Sequence, residues 1–164
     1  MNEPIDDLYQ DLVLEHKRAP RHFGHIEGAT QRAQGTNPQC GDSVAVEVRV
    51  EDGVLKDIGF TGHGCAICIA SSSMMSEALH GHELALARDL HARFRGVLTG
   101  EIEPGDAALG KLESLAGVRR YPSRIKCALL GWHALMHALA EADAGAAVAG
   151  VFTQNRFCAA PVTL

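Results

Sequence analysis

Val44, Val46, Val48 and Val50 alternate with Ala45, Glu47, Arg49 and Glu51, a period of two that sets four valines on one face of a β-strand. Asp52-Gly53 follows, a dipeptide suited to the left-handed backbone of a two-residue hairpin turn, and Val54 to Thr61 returns as the second strand. The sequence therefore commits this region to a half-buried hairpin, whose valine face other parts of the chain must cover. Gly62-His63-Gly64 closes the hairpin and delivers Cys65.

The remaining periodicity is helical. Ile5 to Arg18 carries Ile5, Leu8, Tyr9, Leu12 and Leu14 at spacings near 3 and 4, with Asp6 and Asp7 early and Lys17 and Arg18 late, which complements the helix dipole. Ala19-Pro20 ends that helix, because proline restricts the residue before it and has no backbone donor. Ala66 to Leu79, small and apolar with serines at 71, 72 and 73, reads as a buried helix. Glu83 to Leu98 reads as another, stopping near Gly96 or Gly100, and Ala107 to Leu115 as a short one. A long helix runs from an N-cap at Ser123 to about Ala140. Arg21 to Asp42 shows no sustained period and reads as a long irregular segment, the kind of loop that is often functional. Residues 1–141 are expected to form one domain, with 142–164 an Ala/Gly-rich C-terminal tail.

At 164 residues the chain buries a core without staples, and its net charge of -5 with a pI near 6.0 argues against a nucleic-acid footprint. No apolar run approaches the roughly 20 residues of a membrane span, and the first residues lack a signal-peptide pattern, so a cytoplasmic protein is expected. In a reducing compartment five cysteines point to metal binding or reactive thiols, and an odd number cannot pair completely.

Each thiol has a bland reading and a chemical one. Cys40 and Asp42 share a turn stiffened by Pro38 and bent by Gly41; alone, this reads as an Asx-type turn beside an ordinary cysteine. Cys65 opens a helix, where backbone donors and the dipole lower a thiol pKa, yet a small buried cysteine is an equal reading. Cys68 has the CxxC spacing with Cys65, but one hairpin among long helices is not the βαβ context of a redox pair, and Cys68 is expected to face the core. Cys127 lies in the first turns of the last helix, with Arg124 and Lys126 near enough to stabilise its anion, or else it is a core position. Cys158 has no assigned role. His63 is close enough to Cys65 to approach a metal, though a loop histidine is more often exposed; the other histidines lack paired ligand spacing and read as surface or helix-face residues. Cys40, Cys65, Cys127 and Asp42 together make a four-coordinate set of the kind zinc accepts, and the hard carboxylate among soft thiolates marks one ligand as exchangeable.

Taken together, Asn37-Pro38-Gln39-Cys40-Gly41-Asp42, Gly62-His63-Gly64-Cys65-Ala66-Ile67-Cys68 with the serines and methionines after it, and Arg124-Ile125-Lys126-Cys127-Ala128 resemble the IscU/NifU-like family of iron–sulfur cluster assembly proteins. The resemblance extends from Leu8-Tyr9 and His16-Lys17-Arg18-Ala19-Pro20 through the last long helix. It is closest to the SufU branch: Lys126 stands where cluster scaffolds have a histidine before the third cysteine, and about Leu98 to Tyr121 looks like the SufU insertion. Cys68 departs from the family pattern.

The resemblance implies an α+β fold, a small antiparallel sheet packed by helices. It implies zinc held by Cys40, Asp42, Cys65 and Cys127, and a pyridoxal-phosphate cysteine desulfurase of the SufS type as partner. Cys40 would accept persulfide sulfur for downstream cluster-assembly proteins, and Arg124 would steer the anionic sulfur or hold Asp42. The rival it also implies is a scaffold on which a transient [2Fe–2S] cluster is assembled and passed on, its oxygen ligand making the cluster labile.

Overall fold

A computed structural model describes residues 4–105 and 107–143. In chain order it contains helix α1 (Pro4–Arg18), strands β1 (Gln31–Asn37), β2 (Asp42–Glu51) and β3 (Val54–His63), helices α2 (Ala66–Leu79) and α3 (Leu84–Thr99), a run of 3₁₀ turns (Ala107–Arg120) and helix α4 (Pro122–Asp143). This is the expected α+β architecture, a small antiparallel sheet covered by helices. The expected tail lies outside the described residues from 144 onward, and Cys158 with it.

Val44, Val46 and Val48 are fully buried on one face of β2, and Asp52 (φ 53°) and Gly53 (φ 74°) make the left-handed two-residue turn to β3. The sheet has a third strand that the sequence reading misses. β1 pairs antiparallel with β2 from Gln31 opposite Val48 to Asn37 opposite Asp42, inside the segment read as irregular. Its inward positions, Gln31, Ala33, Gly35 and Asn37, are polar or small, so no hydrophobic alternation announces it; the room they leave is taken by α4, which lies across β1 and β2.

The second face of the hairpin is covered as well. Residues 22–26 run over it, with the Gly24 N–H donating to the Phe60 carbonyl (2.8 Å) and the Phe60 N–H to the His22 carbonyl (3.1 Å). Contact is tight enough that a Cβ on Gly59 would stand 2.6 Å from the Gly24 carbonyl oxygen. Glu47, on the face expected to be wet, is therefore only 3 % exposed, and it is compensated by His25 (2.6 Å) and Arg32 (2.8 Å).

Helix α2 matches its expected span and is the central element, between α1 and α4. Its serines bind neighbouring elements: Ser71 donates to the Ala128 carbonyl of α4 (2.6 Å), Ser73 meets His16 Nδ1 of α1 (2.6 Å), and Ser76 donates to the Arg21 carbonyl (3.0 Å). Helix α1 buries Val13 and His16, packs Leu12 against the core and leaves Leu14 half exposed. His16 is not a surface residue but wholly buried; His91 on α3 and His133 on α4 are partly buried, the His91 ring lying beside Trp132 and His133. Helix α3 stops at Gly100 in the left-handed conformation (φ 86°). The turns after it extend to Arg120, well past Leu115, but break at Gly110 (φ 54°). Helix α4 begins one residue before the expected Ser123 cap. The Tyr121 carbonyl accepts the N–H groups of Arg124 (2.7 Å) and Ile125 (3.2 Å), and Pro122 fills the first helical position, where a missing donor costs nothing.

Candidate metal centre

The β1–β2 connection carries Cys40 at the edge of the sheet. The Asn37 carbonyl accepts N–H groups from both Cys40 (3.1 Å) and Gly41 (2.9 Å), and Gly41 takes a φ of 71°, which returns the chain into β2 at Asp42. Cys40 is thereby left half-buried on a turn, whereas Asp42, two residues on and inside the ladder, is 2 % exposed.

Asp42 links the sheet to α2. Its Oδ1 accepts the N–H of Cys65 (2.9 Å), the residue that caps α2 without a side-chain hydrogen bond of its own. A carboxylate at a helix N-terminus satisfies an orphan donor and opposes the positive end of the dipole. The approach depends on Gly64, where a Cβ would lie 2.6 Å from Asp42 Oδ1, and on Gly62, where one would collide with the Ser43 carbonyl. The glycines around His63 thus serve close packing of the end of β3 on Asp42, and His63 itself is exposed.

Cys127 comes from the second turn of α4 and is wholly buried. Its Sγ lies 3.4 Å from Cys40 Sγ, with no disulfide among the described residues. Cys40, Asp42 and Cys127 present ligand atoms within 4.8 Å of one another. Cys65 stands just outside this trio, its Sγ 3.9 Å from Asp42 Oδ2. Three of the four residues proposed from the sequence thus form one compact group, and the fourth sits against its carboxylate.

Hydrogen bonding from the Cys127 thiol and from the N–H groups of Cys68 and Ile67 draws the Cys65 thiol down to about 6 despite its burial, while Cys127, holding the shared proton, is pushed up. Arg124 is exposed and its guanidinium addresses Cys65, whose negative charge raises the arginine pKa. Arg124, Cys65, Val13, Ala66, Ile67 and Tyr121 line a cavity of about 550 Å³. Cys68 faces the core, as expected, and burial pushes its thiol up. Asn37 is a further contributor that sequence reasoning quoted but gave no role. It is 1 % exposed, its amide nitrogen lies 4.0 Å from Cys127 Sγ, and its Oδ1 has no hydrogen-bond partner.

The donor set fits zinc. Two sulfurs in near contact and a buried carboxylate oxygen converge, with a third thiol beside them, and Arg124 at the rim is directed at that third thiol. Soft thiolate and hard carboxylate together suit a borderline divalent ion.

A family model described as the NifU-like N-terminal domain matches residues 8–128. The chain belongs to the NifU-like N-terminal domain family. Among relatives, it is 38% identical over 135 residues to the iron-sulfur cluster assembly scaffold protein IscU of Streptococcus pyogenes serotype M1, covering 82% of this chain and 84% of that one. It is 33% identical over 144 residues to the zinc-dependent sulfurtransferase SufU of Bacillus subtilis (strain 168), covering 88% and 97%. A solved structure described as a putative iron-sulfur cluster assembly scaffold protein for the SUF system, from Fervidobacterium islandicum AW-1, superposes with a TM-score of 0.75 at 31% identity, covering 81% of this chain and 97% of that one. The N-terminal region of a NifU-like protein from Brucella abortus shares the fold, with a TM-score of 0.79 at 24% identity over 87% of this chain and 99% of that one. The NifU-like match spans the turn of Cys40, the start of α2 and Cys127. No helix among the described residues is long and apolar enough to cross a membrane.

Proposed function

We propose that this protein is a zinc-dependent sulfurtransferase that receives persulfide sulfur on Cys40 from a SufS-type cysteine desulfurase for iron–sulfur cluster assembly. The observation that carries the reading is the asymmetry of the centre. Cys40 is half-buried on a turn, whereas its neighbours Cys127 and Asp42 are locked in a helix and a strand. A residue that must be held and then presented belongs on the turn.

Cys40, Asp42, Cys65 and Cys127 would hold the zinc. When bound, the ion keeps the thiols as thiolates at neutral pH and shields them from oxidation. The Cys40 thiolate attacks the outer sulfur of a hydropersulfide on the desulfurase cysteine. The bond from Cys40 Sγ to that sulfur forms as the desulfurase S–S bond breaks; the proton stays on the transferred sulfur, and the desulfurase cysteine leaves as a thiolate. No external oxidant or reductant is needed. Arg124, at the rim of the cavity beside Cys65, offers the positive charge that draws an anionic persulfide in, and the outer sulfur takes up a proton from solvent before Cys40 attacks it.

The test is alanine formation by the desulfurase with and without this protein. Cys40→Ala abolishes the stimulation, and the Cys40 peptide of the wild type gains the mass of one sulfur. Cys158→Ala leaves both unchanged, and equal loss from the two variants overturns the assignment. The second reading, a scaffold handing a [2Fe–2S] cluster to downstream assembly proteins, is favoured by the 38% identity to the S. pyogenes scaffold protein. Anaerobic purification separates the two: one zinc per chain supports transfer, and a visible-absorbing cluster supports scaffolding.

A further inference from the structure

At the other end of α2 from the thiols, three side chains from three separate elements converge. His22 follows α1, Asp57 lies in β3, and His80 caps the C-terminus of α2; their ligand atoms lie within 4.8 Å of one another. Cys65 caps the N-terminus of the same 14-residue helix, so the two groups are separated by about 20 Å of helix.

We propose that His22, Asp57 and His80 form a second metal site, for a borderline divalent first-row cation bound through two imidazoles and one carboxylate. His22 and His80 are fixed by backbone bonds that do not use their ring nitrogens. His22 is a non-glycine residue in the left-handed region (φ 57°), held there because its carbonyl accepts the Phe60 N–H (3.1 Å) and the next residue bridges to β3. The His80 N–H bonds the Ser76 carbonyl (3.1 Å) and the Gly81 N–H the Leu55 carbonyl (2.8 Å), pinning the end of α2 to the sheet. Asp57 accepts the Ile58 N–H at Oδ1 (2.9 Å), which orients the carboxylate toward the ring of His80.

The rings of His22 and His80 stack at 4.8 Å, 20° apart, and His80 Nε2 lies 3.5 Å from Asp57 Oδ1. Glu77, which also faces this group, is engaged by Lys111 (3.0 Å) and Arg21 (3.8 Å). Two imidazoles with one carboxylate suit Zn²⁺, Co²⁺, Ni²⁺ or Fe²⁺ and leave positions open for water or a further ligand. His22 and His80 are solvent-exposed, so the cation has direct access.

Cobalt titration of the full chain, already carrying one zinc per chain, is the test. A second, saturable equivalent of Co²⁺ should bind with weak d–d absorption and no thiolate-to-cobalt charge-transfer band. His22→Asn and His80→Asn should each weaken it at least tenfold, and Cys40→Ala should leave it unchanged, which separates this site from the sulfur-transfer reading. Asparagine tolerates the left-handed backbone at position 22, and far-UV circular dichroism checks that both variants fold. In the wild type, paramagnetic broadening of the His22 and His80 ring signals ahead of the other histidines gives a readout that needs no variant. No saturable second equivalent, binding indifferent to both substitutions, a thiolate band, or broadening centred on other histidines overturns the site.

Discussion

Acidification should destabilise this protein through two histidines that take no part in the thiol centre. His91 on α3 and His133 on α4 lie 5.6 Å apart, with His91 stacked near Trp132 (6.2 Å) and its Nε2 buried without a hydrogen-bond partner. Burial lowers His91 to about 4, helped by Arg95, and burial lowers His133 to about 4, helped by His91 and Arg95. An unfolded chain takes up these protons near 6.5, whereas the folded chain resists until about 4, so between those values the unfolded state binds more protons. Stability contributed by the neutral rings is thus fully present above about 6.5, falls through the window and levels off below about 4. At about pH 5 the loss is roughly 2 kcal/mol for one ring and roughly 3 to 4 kcal/mol for the pair, since charging one ring opposes charging the other. The assay is urea unfolding of wild type and the His91→Gln/His133→Gln variant at a series of pH values. Their difference cancels carboxylate titration, which both share. The difference should shift toward the variant by about 3 kcal/mol between about pH 7 and pH 5. Parallel curves would refute the reasoning.

Gly64→Ala should force a Cβ against Asp42 Oδ1, breaking the carboxylate's bond to the Cys65 N–H. It should cost about 1 to 3 kcal/mol in thermal unfolding and weaken zinc retention against a chromophoric chelator; a variant that melts and holds zinc as wild type does would show that the approach is not needed. Glu47→Gln should remove the charge-assisted bonds to His25 and Arg32 and lower stability by about 1 to 2 kcal/mol, the partners being partly exposed. Burial raises the Glu47 pKa, but hydrogen bonds from His25 and the Ile26 N–H, with the Arg32 charge, hold it below 4.5. The contribution is therefore complete above about 4.5 and lost as pH falls further, so wild type and variant should converge in acid; a gap that persists there would point to packing instead of charge.

The hairpin, the four α-helices and the order of the three cysteine motifs were legible in the chain, because hydrophobic period and turn chemistry are local signals. β1 was not, since Gln31, Ala33, Gly35 and Asn37 carry no apolar alternation and are buried only because α4 crosses them. The burial of Glu47 and His16 was not legible for the same reason: burial of a polar side chain depends on what distant segments lie over it.

At the candidate centre the sequence by itself determined the chemistry on offer: three thiols and a carboxylate, each beside a glycine or a helix start, in an order that resembles one family. Only the tertiary structure decided their relations. It set Cys40 against Cys127, 87 residues away, and put Asp42 on the N-terminus of α2; it turned Arg124 toward Cys65. Convergence of side chains from a turn, a strand and two helices follows from how the sheet and helices pack, and packing is a property of the whole fold and not of any local stretch.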